Sequence, residues 1–295
     1  MVRALTLGLL LLLGNAVSAF AQVTAYLVAG DDLYRVDLEI GLFEEVGPLT
    51  PSGGEVSAVA FDPSGTLLGY DHVGDRLLAI DTATAATTVL GSFDLGFEQG
   101  TGLAVDACGR IFLMTFHWFN GDGVYLLRTL APESGEATLV GEIPYNVGPL
   151  AARGEELYGI SPSIPTTGGD LVVVRIRPDT LEVTEVPTDL PPELATCGGL
   201  DFDAAGYLWT ALVPPPIGIP PPPYPALRID LISGEIEEFP GFYGISFAIS
   251  PTAGACGGGE PPAIPAASPR ALLILAVALG IAGAAALAGR RKRLV

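Results

Sequence analysis

Residues 56–91 read VSAVAFDPSGTLLGYDHVGDRLLAIDTATAATTVLG. Val56 to Phe61 alternates in the manner of a half-buried strand and stops at Asp62-Pro63-Ser64-Gly65, a tight turn. A second run, Thr66 to Tyr70, leads through the polar connection Asp71 to Arg76 into Leu77 to Ile80. Asp81-Thr82-Ala83-Thr84-Ala85 then turns the chain into Thr87 to Gly91. Strand-forming residues at period two, punctuated by Gly, Pro and Asp, describe one four-stranded antiparallel meander. A lone sheet of this kind cannot bury both of its faces, so copies must pack against one another.

Copies are present. The first strand and its turn recur as Val59-Ala60-Phe61-Asp62-Pro63-Ser64-Gly65, Leu103-Ala104-Val105-Asp106-Ala107-Cys108-Gly109 and Leu200-Asp201-Phe202-Asp203-Ala204-Ala205-Gly206, with a degenerate form at Leu150-Ala151-Ala152-Arg153-Gly154. Gly65, Gly109, Gly154 and Gly206 are spaced by 44, 45 and 52 residues, the period of a four-stranded propeller blade. The third strand recurs at Arg35-Val36-Asp37, Ala79-Ile80-Asp81, Leu127-Arg128-Thr129-Leu130, Arg175-Ile176-Arg177 and Arg228-Ile229-Asp230. The first unit, Tyr26 to Val46, lacks a first strand, and Tyr243 to Ser250 supplies only a first strand, so the two fragments should share one sheet. The expectation is an all-β protein, a β-propeller of five blades, with six as the alternative, over residues 22–255.

The ends read differently. Residues 1–21 carry Arg3, the apolar run Leu5 to Leu13 and Ala19-Phe20-Ala21 before Gln22, a secretory signal peptide with a small-x-small cleavage site. Residues 256–269 form a Gly/Pro-rich linker. Within residues 270–295, Ala271 to Gly289 is uncharged and long enough to span a bilayer as a helix. The cluster Arg290-Arg291-Lys292-Arg293 places its end in the cytoplasm and the propeller outside, either membrane-anchored in the cell envelope or released after processing.

All 33 acidic residues lie between Gln22 and Pro269, where 14 − 6 = 8 basic residues remain, a balance of 8 − 33 = −25. A field of that sign repels nucleic acid and anionic headgroups and favours cations.

In such a blade, the connections between strands two and three share one face with the connections between blades. The blade-two connection holds Asp71, His72, Asp75 and Arg76, and the blade-three connection holds Phe116-His117-Trp118-Phe119-Asn120-Gly121-Asp122. Blade five carries the polyproline-like insertion Pro214 to Pro225, which includes Tyr224. These loops suggest a shallow site in which Trp118 and Tyr224 offer flat surfaces to a sugar or peptide. Asp71, His72, His117 and Asp122 offer polar contacts there. The competing reading is that they are ordinary polar loops covering blade edges.

Three cysteines are an odd number for an exported chain. Cys108 and Cys256 each follow a first strand while Cys197 precedes one, so the topology points to a Cys108–Cys256 disulfide.

The C-terminal thirty residues resemble the tripartite sorting tails of the PEP-CTERM group, especially its IPTL-CTERM relatives. Ile264-Pro265-Ala266-Ala267-Ser268 stands where those tails carry Ile-Pro-Thr-Leu-Ser, followed by the hydrophobic run and the basic cluster. The resemblance implies processing by an exosortase-type membrane protease, with Ile264, Pro265 and Ser268 as the motif positions. The repeat region is similar in pattern to secreted propellers with NHL-type or streptogramin-lyase-type repeats.

The functional expectation is a non-catalytic binding propeller at the cell surface, with an extracellular polysaccharide or surface protein as partner and no cofactor. Two alternatives stand beside it. One is a metal-dependent lactonase-type hydrolase or a lyase, for which Asn120 and Asn146 are the only asparagines after Asn15. The other is a structural component of an extracellular matrix.

Overall fold

The computed structural model describes residues 23–50, 55–96, 98–119, 122–162, 171–188, 190, 196–213, 225–240 and 246–250. They form five four-stranded antiparallel sheets, the blades of a five-bladed propeller, and the six-bladed alternative is set aside. Blade one joins β1 (Thr24–Ala29), β2 (Asp32–Asp37) and β3 (Leu42–Pro48) to β20 (Ser246–Ile249). Blade two is β4 (Val56–Phe61), β5 (Leu67–Asp71), β6 (Arg76–Ile80) and β7 (Thr87–Ser92). Blade three is β8 (Gln99–Val105), β9 (Ile111–Phe119), β10 (Asp122–Ala131) and β11 (Glu136–Ile143). Blade four is β12 (Leu150–Arg153), β13 (Glu156–Pro162), β14 (Leu171–Arg177) and β15 (Glu182–Val186), and blade five is β16 (Thr196–Phe202), β17 (Leu208–Val213), β18 (Ala226–Ile229) and β19 (Ile236–Phe239).

Blade one is built from both ends of the repeat region. β20 pairs antiparallel with β1, with Tyr26 opposite Ala248 and Leu27 opposite Phe247, and Ser250 donates its N–H to the Thr24 carbonyl at 3.0 Å. Each innermost strand packs against the next, in the order β20, β4, β8, β12, β16 and back to β20.

The recurrent Asp-x-x-Gly signature makes a specific turn between first and second strands. The Asp62 carboxylate accepts the N–H groups of Ser64 (2.9 Å) and Thr66 (2.8 Å), and Asp106 and Asp203 do the same two and four residues ahead. The chain then needs a left-handed residue, and Gly65, Gly109 and Gly206 supply it at φ of 88°, 81° and 88°. A second Asp position closes the turn from third to fourth strand. Asp37, Asp81 and Asp230 each accept N–H groups two and three residues on. Those bonds hold the Asp81 and Asp230 carboxyls below the ordinary aspartate range.

Alternation along the strands aims apolar side chains at both neighbouring blades, and five buried clusters result, one per junction. Trp209, Tyr70, Phe112 and Phe247 are the largest fully buried side chains, each contributing about 1.5–3 kcal/mol by leaving water. Polar ties near the axis cross every junction as well. The Val59 N–H reaches Ser246 Oγ (2.9 Å), Ser57 Oγ donates to the Gly100 carbonyl (3.0 Å), and the Ala107 N–H reaches the Gly154 carbonyl (3.1 Å). Arg153 reaches the Gly206 carbonyl (3.4 Å), and the Ile249 N–H reaches Asp201 Oδ2 (2.8 Å).

Among the described residues no helix is long and apolar enough to cross a membrane. The signal peptide, the 271–289 run, the basic cluster and the Ile264, Pro265 and Ser268 positions all lie outside the described residues.

Candidate functional site

The ends of the blades that carry the inter-blade connections and the connections from second to third strand form what we term the upper face. Three features are described there: the blade-two turn, a long blade-three hairpin, and the mouth of a cavity on the axis.

The blade-two turn is a compact knot. Asp71 is wholly buried; its carboxylate accepts the N–H groups of Val73 (3.1 Å) and Gly74 (3.0 Å) and pairs with Arg76 through Nε at 2.8 Å. Next to it, Tyr70 donates its hydroxyl to Asp75 at 2.9 Å, and burial together with that carboxylate drives the phenol strongly upward in pKa. His72 is tied to the strand lead-in, its main-chain N–H (3.2 Å) and Nδ1 (2.9 Å) both meeting the Glu55 carbonyl. Asp71 is therefore a turn-former with no surface to offer, while His72 keeps a partly exposed ring edge.

The expected blade-three loop is a continuation of the sheet. β9 and β10 run to Phe119 and from Asp122, with His117 opposite Val124, Trp118 opposite Gly123, and Phe119 opposite Asp122. The reason is local: Ile111 to Phe119 contains no strand breaker and is rich in aromatic and β-branched residues. His117, Trp118 and Asp122 thus share one hairpin, whereas Asp71 and His72 stay in blade two. His117 lies in the field of Glu98, whose carboxylate takes the Thr115 hydroxyl (2.7 Å) and two bonds from Arg128, one of them Nε at 2.7 Å. Those partners outweigh desolvation and hold Glu98 below the ordinary glutamate range. Tyr224 lies outside the described residues.

Beside the hairpin is a groove of about 500 Å³ that loop-by-loop reading missed. One wall carries Phe116 and Tyr125, cross-strand partners with ring centroids 4.9 Å apart. The Phe116 ring lies over Gly123, where any side chain would collide with it. Tyr145, Glu142 and Asn146 complete the lining, the Tyr145 hydroxyl meeting Glu185 at 3.4 Å. Desolvation raises both tyrosine pKa values, so the phenols are neutral donors.

On the axis, a cavity of about 260 Å³ is bounded by residues of all five innermost strands, among them Ser57, Thr101, Gly199 and Ser246, with Gly148 just before β12. Its hydroxyls are already engaged: Ser57 with Gly100, Ser246 with Val59, and Thr101 with the Met114 carbonyl at 3.3 Å. Below it lies a pocket of about 30 Å³ that includes Asp201. Among the described residues no three His, Cys, Asp or Glu side chains are grouped so as to hold a metal ion.

At the opposite, lower face, Cys108 is disulfide-bonded. Cys256 and the side chain of Cys197 lie outside the described residues.

These features define an all-β, five-bladed propeller with a grooved upper face. No protein-family model matches the chain, and no curated protein matches it. Among solved structures it is similar to a chain of the nidogen/laminin complex, at 12% identity and a TM-score of 0.47 over 79% of this chain and 100% of that one. It is also similar to TolB from Acinetobacter baumannii, at 15% identity and a TM-score of 0.45 over 75% of this chain and 53% of TolB.

Proposed function

We propose that this protein is an exported binding propeller that holds an extracellular saccharide chain in the blade-three groove without transforming it. The observation that carries this reading is the groove itself. Three aromatic rings, Phe116, Tyr125 and Tyr145, stand beside hydrogen-bonding groups of Glu142 and Asn146 in a depression of about 500 Å³. Sugar rings present flat C–H faces and a rim of hydroxyls, which is the complement of such a lining. The polar groups of the blade-two turn and the axial mouth are spent on turns and blade junctions, which supports holding over catalysis. Export rests on the signal-peptide pattern of residues 1–21. Envelope attachment, and processing by an exosortase-type protease, rest on the sorting-tail resemblance of Ile264 to Arg293.

The test is a glycan array probed with the full chain, followed by calorimetry on hits with Tyr125→Ala and Tyr145→Ala. Each substitution should weaken binding about tenfold, the equivalent of roughly 1.4 kcal/mol for one lost ring face. An array without hits, or hits indifferent to both substitutions, would overturn the reading.

A further inference from the structure

The five innermost strands align residue by residue, and one level of the ring breaks the pattern. Ala60, Ala104, Ala151 and Ala248 hold equivalent places in β4, β8, β12 and β20, opposite Leu68, Phe112, Tyr158 and Tyr26. In β16 the equivalent residue is Asp201, opposite Trp209. Small apolar side chains suit the crowded axis, so a carboxylate at this level is costly without a compensating partner. Its oxygens take one N–H each, from Phe202 and from Ile249, both at 2.8 Å. A carboxylate offers about four acceptor positions, so roughly half remain open.

No cation answers it among the described residues. All eight arginines of the repeat region are described, and seven of them pair with other carboxylates. The eighth, Arg153, lies over the Phe202 ring and reaches the Gly206 carbonyl. Above Asp201, Val59, Leu103, Leu150 and Leu200 line both the 30 Å³ pocket and the 260 Å³ cavity, so one lies directly beneath the other. From the level of Ser57 to that of Asp201 is three residues of strand, about 10 Å. A well whose upper part is walled mainly by apolar groups, and whose foot is polar and carries one under-paired carboxylate, suits a cation on a short hydrocarbon stem. Among the described residues no second carboxylate or imidazole joins it, as a dedicated divalent metal site would require. The lower pocket, at about 30 Å³, has room for a small head group, and the surplus of negative charge draws cations toward it.

We propose that the axial cavity is a binding site for a primary alkylammonium group, carried by a lysine side chain of a partner polypeptide or by a free polyamine, with Asp201 as its counter-ion. The site is separate from the blade-three groove, and neither depends on the other.

Calorimetry on the full chain in detergent micelles should show heat of binding for n-butylamine, with n-butanol at least tenfold weaker. Cadaverine and a short acetylated peptide with one lysine distinguish the two sources, and the same peptide acetylated on Nζ should bind at least tenfold more weakly than its parent. Asp201→Asn should abolish the preference for amine over alcohol, while Glu133→Gln, in an exposed turn, should leave it intact. Equal binding of butylamine and butanol by the wild-type protein, no amine binding at all, or undiminished preference in Asp201→Asn would each overturn the proposal. The amine–alcohol comparison needs no variant, so it stands even if Asp201→Asn folds poorly.

Discussion

Asp201→Asn should change how stability depends on pH, independently of any ligand. Desolvation at the axis raises the Asp201 carboxyl from 3.8 to about 7, against the opposing pull of the Ile249 and Phe202 N–H groups. A carboxyl raised on folding binds its proton more tightly in the native than in the unfolded state. Its contribution is therefore fully present below about pH 4 and is lost as pH rises toward and through about 7. With these two values, wild-type stability should fall by about 3 kcal/mol between pH 4.5 and 7.5 from this group alone. Asparagine does not titrate. It will alter the bonds to Ile249 and Phe202 by an amount that is the same at both pH values, and the remaining surplus of acid groups affects both proteins alike. Urea denaturation at pH 4.5 and 7.5 should thus show Asp201→Asn gaining about 3 kcal/mol on wild type over that interval. Parallel pH profiles, or a relative loss for the variant on going to pH 7.5, would mean that the N–H donors dominate and the carboxyl is ionised throughout.

Three further outcomes follow from the packing. Arg128→Met strands the Glu98 carboxylate, whose side chain is only 13% exposed, and should cost about 3–5 kcal/mol by chemical denaturation, most of it regained in the double variant with Glu98→Gln. Gly102→Ala places a methyl 2.4 Å from the Gly148 carbonyl oxygen and 2.8 Å from the Leu150 nitrogen, backbone atoms that cannot step aside; a loss of about 1–3 kcal/mol in the same assay is expected, and a neutral result would show that blades three and four can spread. Non-reducing peptide mapping should find Cys108 joined to Cys256, since Cys197 sits near the upper end of β16 and Cys108 in a lower turn; closing a 148-residue loop (256 − 108), the bond should stabilise the fold by about 5 kcal/mol, and a Cys108–Cys197 peptide would refute the face assignment.

Much of this architecture was legible because its punctuation is chemical. Asp62, Asp106 and Asp203 each hold a turn whose next need is a left-handed residue, and only glycine meets that need cheaply, so the blade period is written in Asp and Gly. Strand limits in residues 56–91 match to within a residue for the same reason. The upper face was harder. Asp71 looks like a solvent-facing loop acid in the sequence, and only the closure of the turn onto Arg76 shows it to be buried. The groove depends on Phe116 meeting Tyr125 across the hairpin, a register that no single strand reveals. Asp201 did leave a trace: where three repeats read Val-Ala-Phe, Leu-Ala-Val and Leu-Ala-Ala, the fourth reads Leu-Asp-Phe. A column-by-column comparison of the repeats would have exposed it.

The sheet shared by Tyr26 and Ala248 makes assembly an all-or-nothing affair in time. Those partners are 222 residues apart (248 − 26), so during synthesis β1 keeps one naked edge until the last strand has emerged. An exposed edge of that kind recruits whatever strand comes first, including one from a neighbouring molecule. Shortening the chain ahead of Ser246 should accordingly yield sticky aggregates instead of a smaller soluble wheel.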